Sequence, residues 1–344
     1  MRDLSAPRKV ATLREVAEAA GVSIATVSKV VNGRFEGMTA STRERVEAAV
    51  RELAYRPNRA GRSLRSARQS RIGMLIVDPS PRFLVDPFIT NLVAGISNEV
   101  SMRGYGLLLS RIDPEEPESS YIVKGQEADA LAVLLSGTAP EREHLLARLA
   151  ELRHPMVVFQ QAMPGGVEDV CTVRQDDVGG ARQMARRILE RRPSRALCLL
   201  PRQRWPAIEA RLQGFEEVLA PAGVTLSQLR CDEGDMEGAL DALREHLAAG
   251  PLPDVIIGTN DRLAVVAVEV LQAMGHKVPE DVGVSGFNAF PFTTPLRPRL
   301  ATVRSPAYRL GELGARLLIE RIEQGAFATR ETVVPVELVE GESL

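Results

Sequence analysis

The chain has 344 residues, 44% hydrophobic and 26% charged. This is globular composition for two or three domains, and it excludes a disordered or fibrous chain. Aromatic residues are 4%, too few for a stacking platform on single-stranded nucleic acid, and the net charge of -2 reads at first against any nucleic-acid partner.

Resolved by position, the charge tells a different story. Residues 1–71 hold 15 Lys and Arg against 7 Asp and Glu, a net of +8, and residues 72–344 hold 28 against 38, a net of -10. A basic module is joined to an acidic body. The asymmetry points the N-terminal piece at a polyanion, although charge alone fits a solvated basic surface equally well.

The basic module reads as short helices. Thr12 precedes Leu13, Val16, Ala17 and Ala20, apolar at helical spacing, and Glu15 completes a capping box. Gly21 stops this helix. Ser23 caps a second, Ile24 to Val31, with Val27, Val30 and Val31 inward, and Asn32-Gly33 ends it. Two short helices joined by a Gly turn form a helix-turn-helix pattern. A third helix, Thr42 to Leu53, closes a small core with Val46, Ala49, Val50 and Leu53. In such a unit the second helix lies in the major groove. Its outward residues are Ile24, Ala25, Ser28 and Lys29. Ser23, Thr26, Ser28 and Asn32 are short polar groups suited to phosphates. Lys29 can reach a guanine edge or a phosphate, and Ile24 and Ala25 offer apolar contact to a thymine methyl.

The segment that follows, Pro57 to Gln69, is basic and nearly free of large apolar groups. Too short to nucleate a stable helix alone, it reads as a flexible tether, with Leu64 as the one large apolar exception.

From Ile72 onward the texture changes. Apolar runs recur at Ile72–Val77, Leu107–Leu109, Ala130–Leu135, Met156–Phe159, Ala196–Leu200, Val255–Gly258 and Val282–Phe287. They alternate with amphipathic helices such as Leu92–Arg103, Val178–Arg191 and Arg262–Met274. Such runs fit strands buried on both faces, and the alternation fits parallel sheets of βαβ units, too long for one sheet and so divided into two lobes. Cys171, Cys198 and Cys231 lie far apart and suggest neither a disulfide framework nor a zinc site. His144, His154, His246 and His276 have no metal-ligand spacing, and no GxGxxG, GxxxxGK[ST], GxSxG or HExxH motif occurs. We therefore expect no catalysis, no cofactor and no metal. No apolar run approaches the roughly 18 residues of a membrane span, and the charged N-terminus does not read as a signal peptide. The expected location is cytoplasmic, with no membrane partner.

The string ATLREVAEAAGVSIATVSKVVNG, followed by TRERVEAAVRELAYRPNRAGRSL, resembles the N-terminus of the LacI/GalR (lactose-repressor) family of bacterial transcriptional regulators. The likeness continues through DDVGGARQMARRILER, GTNDRLAVVAVEVLQAMGHKVPEDVGVSGFN and LRPRLATVRSPAYRLGELGARLL to about residue 340. It implies an all-α helix-turn-helix headpiece at 1–56 and a hinge helix or linker at 57–70. It also implies a two-lobed, periplasmic-binding-protein-like α/β effector domain at 71–344, with parallel sheets and Rossmann-like lobes. The first lobe would take 71–172 and 303–331, and the second 173–302 and 332–344.

The resemblance also assigns roles. Major-groove specificity falls to Ile24, Ala25 and Lys29, and phosphate contacts to Thr12, Ser23, Thr26, Ser28, Asn32, Tyr55 and Asn58. Leu64 matches a minor-groove wedge, with Arg62 and Arg65 beside it, although Gly61 is a poor helix former there. In the cleft between lobes Phe88 supplies an apolar wall, Arg211 a donor fork, Asn260 a donor and acceptor, and Gln160 a strand-end amide. Trp205 would stack on a sugar ring. Without the resemblance, a lone Arg on a helix reads as a solvated surface group and a lone Trp as packing. Asn288 stands where an aspartate is frequent in the family, so Arg211 would lack an opposing carboxylate. The expected effector is then a sugar, a sugar acid or a sugar phosphate, with anionic forms favoured and Arg202 or Arg204 assisting. The expected protein is a homodimeric repressor of double-stranded operator DNA. The alternative is a solute-binding protein without a DNA role.

Overall fold

A computed structural model describes residues 11–55, 69–113, 116, 120–125, 127–163, 165–232 and 234–344. The expectations at Asn58, Arg62, Leu64 and Arg65 lie outside these residues. The chain divides into two compact units, Met1–Arg68 and Gln69–Leu344.

In the smaller unit α1 (Leu13–Ala20) begins at Thr12, whose hydroxyl accepts from the Glu15 N–H while the Glu15 carboxylate accepts from the Thr12 N–H. Gly21 ends it in the left-handed conformation, where a side chain would be strained. Ser23 caps α2 (Ile24–Val31) by accepting from the Thr26 N–H. The third helix, α3 (Ala40–Glu52), starts two residues before the expected Thr42, because Thr39 is the capping hydroxyl. Val16, Ala17, Ala20, Val27, Val30, Val46, Ala49 and Tyr55 form one small buried core.

In the larger unit β1 (Arg71–Val77), β2 (Gly106–Ile112), β3 (Ala130–Leu135), β4 (Met156–Phe159), β5 (Val170–Gln175) and β11 (Glu331–Val334) form one parallel sheet, ordered β11-β5-β4-β3-β1-β2. Helices α4 (Pro87–Met102) and α11 (Ala307–Gln324) cover one face. The short α5 (Tyr121–Gly125) and α6 (Ala139–Ala150) cover the other. Gly95 and Gly311 let α4 and α11 touch backbone to backbone; a Cβ on either would run into the other helix's main chain.

The second lobe has a parallel sheet ordered β7-β6-β8-β9, from β6 (Arg195–Pro201), β7 (Thr225–Cys231), β8 (Val255–Gly258) and β9 (Gly283–Ser285). One face packs on α7 (Asp177–Leu189) and α8 (Pro206–Leu219). The other packs on α9 (Met236–Ala249) and α10 (Asp261–Ala273). A short antiparallel pair, β10 (Thr302–Arg304) with β12 (Glu337–Val339), completes it.

The chain crosses between lobes three times, and each crossing differs slightly from the expected boundary. β5 stays in the first sheet to Gln175, beyond 172, and β10 holds residues 303–304 in the second lobe. β11 pairs with β5 as far as Val334, beyond 331. The ladders set these points: Glu331 to Val334 align with Thr172 to Gln175, a register that the sequence alone does not expose. Among the described residues no helix is long and apolar enough to cross a membrane.

Candidate functional site

Two surfaces carry the residues singled out above. On the headpiece, α2 exposes Ile24 at 45% relative accessibility, together with Ala25 and Lys29; Thr26 and Ser28 are half-buried. The open Ile24 side chain gives α2 an apolar contact point on its outward face. The hydroxyls are partly engaged. Thr12 is tied to Glu15, Ser23 to the Thr26 main chain and side chain, and Asn32 donates to the Ser28 carbonyl. Tyr55 is buried in the small core, a packing role that the resemblance did not imply.

The second surface is a cleft between the lobes, open to solvent at its mouth. Its lining includes Phe88, Gln160, Trp205, Arg211, Asn260 and Asn288, so the structure brings these six candidates together. Trp205 sits just before α8 and packs against the cores of both lobes. Asn260 caps α10, its side-chain Oδ1 accepting from the Leu263 N–H. Phe88 stands at the start of α4, where the Asp86 carboxylate accepts its N–H.

Arg211 is the organising residue. Only 3% exposed, it donates from Nε to Asp177 Oδ1 (2.7 Å), from Nη1 to the Thr259 carbonyl (2.7 Å) and from Nη2 to Asn288 Oδ1 (3.2 Å). Its guanidinium carbon lies 3.9 Å from the centroid of the Phe287 ring. Asp177 Oδ1 also accepts from Gln175 Nε2 (2.7 Å), and Oδ2 accepts from Gln160 Nε2 (3.2 Å). The Ser305 hydroxyl donates to Gln175 Oε1 (2.6 Å). The network thus runs through Gln175 and Ser305, beside two of the three crossings, to the cleft wall. Burial pushes the Asp177 carboxyl up, and the Arg211 guanidinium opposes that shift.

This geometry corrects the charge argument. Asp177, not residue 288, supplies the carboxylate opposite Arg211, so the expected surplus of positive charge at the cleft is absent. Asp86, Asp261 and Arg262 also line the cleft. Asp261 is fully buried and clamps the far wall, accepting from the Thr302 hydroxyl (2.6 Å) and the Phe290 N–H (2.8 Å). Burial raises its carboxyl against those hydrogen bonds, and raises Asp86 against the Phe88 N–H and the charges of Arg262 and Arg211. Arg202 and Arg204 do not reach the cleft. They line a separate outer groove with His144, Arg148, Glu141 and Asp113.

Asp177, Asp86, Asp261, Arg262 and Phe290 escaped the sequence reading. A signal existed for three of them: Asp86 stands before Pro87, Asp177 in QDDVGG and Asp261 in TNDRLA, each a carboxylate at a helix start. The backbone adds a further mark. Gln160 (φ 59°), Asn288 (φ 118°) and Ala289 (φ 54°) hold left-handed conformations at or next to the cleft. Clustered strain of this kind typifies ligand sites.

A helix-turn-helix unit with an open second helix, on the same chain as a two-lobed domain with a built polar cleft, defines a ligand-sensing DNA-binding regulator. The chain belongs to the lacI family of bacterial regulatory proteins, whose family description matches residues 12–58, while residues 185–344 match a periplasmic binding protein-like domain. It is 32% identical over 336 residues to the HTH-type transcriptional regulator CelR of Thermobifida fusca, covering 96% of each chain. It is 30% identical over 324 residues to the ribose operon repressor of Escherichia coli K12, covering 92% of this chain and 94% of that one. In three dimensions it is similar to the lac repressor dimer bound to operator and an anti-inducer, with a TM-score of 0.84 at 22% identity over 97% of this chain and 99% of that one. This chain is a DNA-binding transcriptional regulator, and the solute-binding alternative is set aside.

Proposed function

We propose that this regulator is a cytoplasmic homodimeric repressor that acts by binding and not by catalysis. A neutral, hydroxyl-rich sugar held in the inter-lobe cleft sets its affinity for operator DNA. The observation that carries the reading is the Arg211 network. A guanidinium already matched by Asp177 still has N–H groups beyond its three protein acceptors, and Asn288 and Asn260 stand beside it. Paired donors and acceptors framed by Phe88, Trp205 and Phe290 suit a sugar ring, whose faces are apolar and whose edge carries hydroxyls. The balance of carboxylates and guanidiniums favours a neutral ligand over a sugar acid. The relatives support the class: CelR is known in complex with cellobiose, and another is named for the ribose operon.

On the DNA side, Ile24, Ala25 and Lys29 read base edges from α2, and Thr12, Ser23, Thr26, Ser28 and Asn32 set the register on phosphates. Two half-sites need two headpieces, hence the dimer. Calorimetry with cellobiose, ribose, glucuronate and glucose 6-phosphate tests the cleft. Saturable binding of a neutral sugar that is lost in Arg211→Ala supports the reading, and binding of the anions alone defeats it. Selection of DNA from a random pool, repeated with and without the bound sugar, tests the coupling between the two sites.

A further inference from the structure

The lobes also meet away from the three crossings, and the contact is unequal on its two sides. Arg142, on α6 of the first lobe, has a side chain only 4% exposed. It is held from within its own lobe, donating from Nε to Gln161 Oε1 (2.8 Å) and from Nη1 to the Gly137 carbonyl. Only Nη2 reaches across, to Glu209 Oε2 on α8 of the second lobe (2.9 Å). The Glu209 side chain is 41% exposed. Beside this pair the Gly137 N–H donates to the Arg204 carbonyl (2.8 Å), and Gln203 Nε2 donates to the Ser136 hydroxyl (2.6 Å).

One half of the contact is therefore rigid and keeps two partners when the lobes part. The other half is a half-exposed carboxylate that water can take over at little expense. Its location matters, because Glu209 lies between Ile208 and Arg211, and the start of α8 brings Trp205, Pro206, Ala207, Ile208 and Arg211 to the cleft.

We propose that Arg142 and Glu209 form a latch between the lobes that positions the first turns of α8 and so sets the width of the cleft. Both are positioning residues, since neither lines the cleft itself. The proposal builds on the cleft as the effector site, but its test needs no effector. Trp205 is the chain's one tryptophan, and it packs on the cores of both lobes beside the latch. Parting the lobes exposes its indole.

The experiment compares full-length Glu209→Gln with Glu217→Gln. Glu217 lies two turns further along α8 and pairs with Arg182 of α7 (2.6 Å), wholly within the second lobe and at similar exposure. In the absence of any sugar, Glu209→Gln should shift Trp205 emission to longer wavelength, raise its quenching by acrylamide and increase the radius of gyration in solution scattering. The lobe equilibrium should move toward the open form by up to about fivefold, which corresponds to about 1 kcal/mol for a partly exposed pair. Glu217→Gln should leave emission, quenching and radius at their wild-type values while lowering the melting temperature by a similar small amount. Unchanged Trp205 signals in Glu209→Gln, or equal changes in both variants, overturn the latch. If wild type binds no sugar at all, the cleft assignment fails while the latch result stands on its own.

Discussion

The two surfaces proposed to act in this regulator are built on opposite physical terms. On the headpiece the candidate side chains are open: Ile24 and Lys29 project from α2, and the small core beneath consists of other residues. In the cleft the candidate side chains are themselves buried, and they hold one another. Arg211, Asp177, Gln160 and Asn288 are all nearly inaccessible and hydrogen-bonded to each other. A surface that must meet a large polyanion can leave side chains such as Ile24 and Lys29 exposed until contact. A site for a small molecule is pre-arranged, so its ligand need not pay to order it. It follows that substitutions at the exposed Ile24 and Lys29 should change function with little effect on the fold, whereas cleft substitutions should change both.

The strongest way to break this contrast is at Asp177. Asp177→Asn leaves Arg211 buried beside a neutral amide, and losing one partner of a buried pair costs about 3–5 kcal/mol. Chemical denaturation of the full chain should show that loss, and calorimetry should show loss of sugar binding. Removing both charges in Asp177→Leu with Arg211→Met should recover part of the stability, because the surviving charge is gone while Gln160 and Gln175 lose their acceptor, but should not restore binding. A single Asp177→Asn variant with wild-type stability would mean that the cleft is not pre-arranged in this way.

Next in size is Lys29→Ala. If Lys29 reads a guanine edge, the selected DNA site should relax at one position and lose about 1–3 kcal/mol there. If it meets a phosphate, affinity should fall on all sequences alike and the salt dependence should flatten by about one unit. In either case the melting curve should not move, since the Lys29 side chain is exposed. A measurable loss of headpiece stability would erase the distinction between the two surfaces.

The contrast also explains what could be read from the sequence. The headpiece was legible almost entirely, because its helices are set by local signals: Thr12 with Glu15, Gly21, and Ser23 each act within four residues. Buried strands such as β1, β3 and β8 were legible as apolar runs. β7 was not, because it lies at the sheet edge and sets polar Ser227 and Gln228 side by side between Leu226 and Leu229. The short β10, β11 and β12 are fixed by pairing with distant strands and carry no local pattern of their own. At the cleft, the residues with a distinctive chemistry stood out, Arg211 and Trp205 above all. Asp177 did not, although it lies 34 positions from Arg211 and its carboxylate decides the charge of the site. A pairing made by tertiary packing leaves no mark in spacing, and the expected preference for an anion rested on an unopposed Arg211, without that one contact.

The smallest expected effect concerns whether the units behave separately. Ser23→Ala removes the hydroxyl that caps α2 and should lower headpiece stability by about 1 kcal/mol. All three cysteines lie in the larger unit and are buried, Cys171 in β5, Cys198 in β6 and Cys231 at the end of β7. Burial pushes the Cys171 thiol up to about 11 and the Cys198 thiol up to about 12. Near about pH 8, where an exposed thiol is partly ionised, these groups should stay protonated and resist alkylation while the fold is intact. The labelling rate then reports opening of the larger unit alone. Ser23→Ala should leave that rate unchanged even where circular dichroism shows the headpiece helices melting earlier, whereas Asp177→Asn should speed it for Cys171, Cys198 and Cys231 together. Faster labelling in Ser23→Ala would show that the small helical core and the two-lobed body unfold as one, and that a weakened cap on α2 is felt in the larger unit.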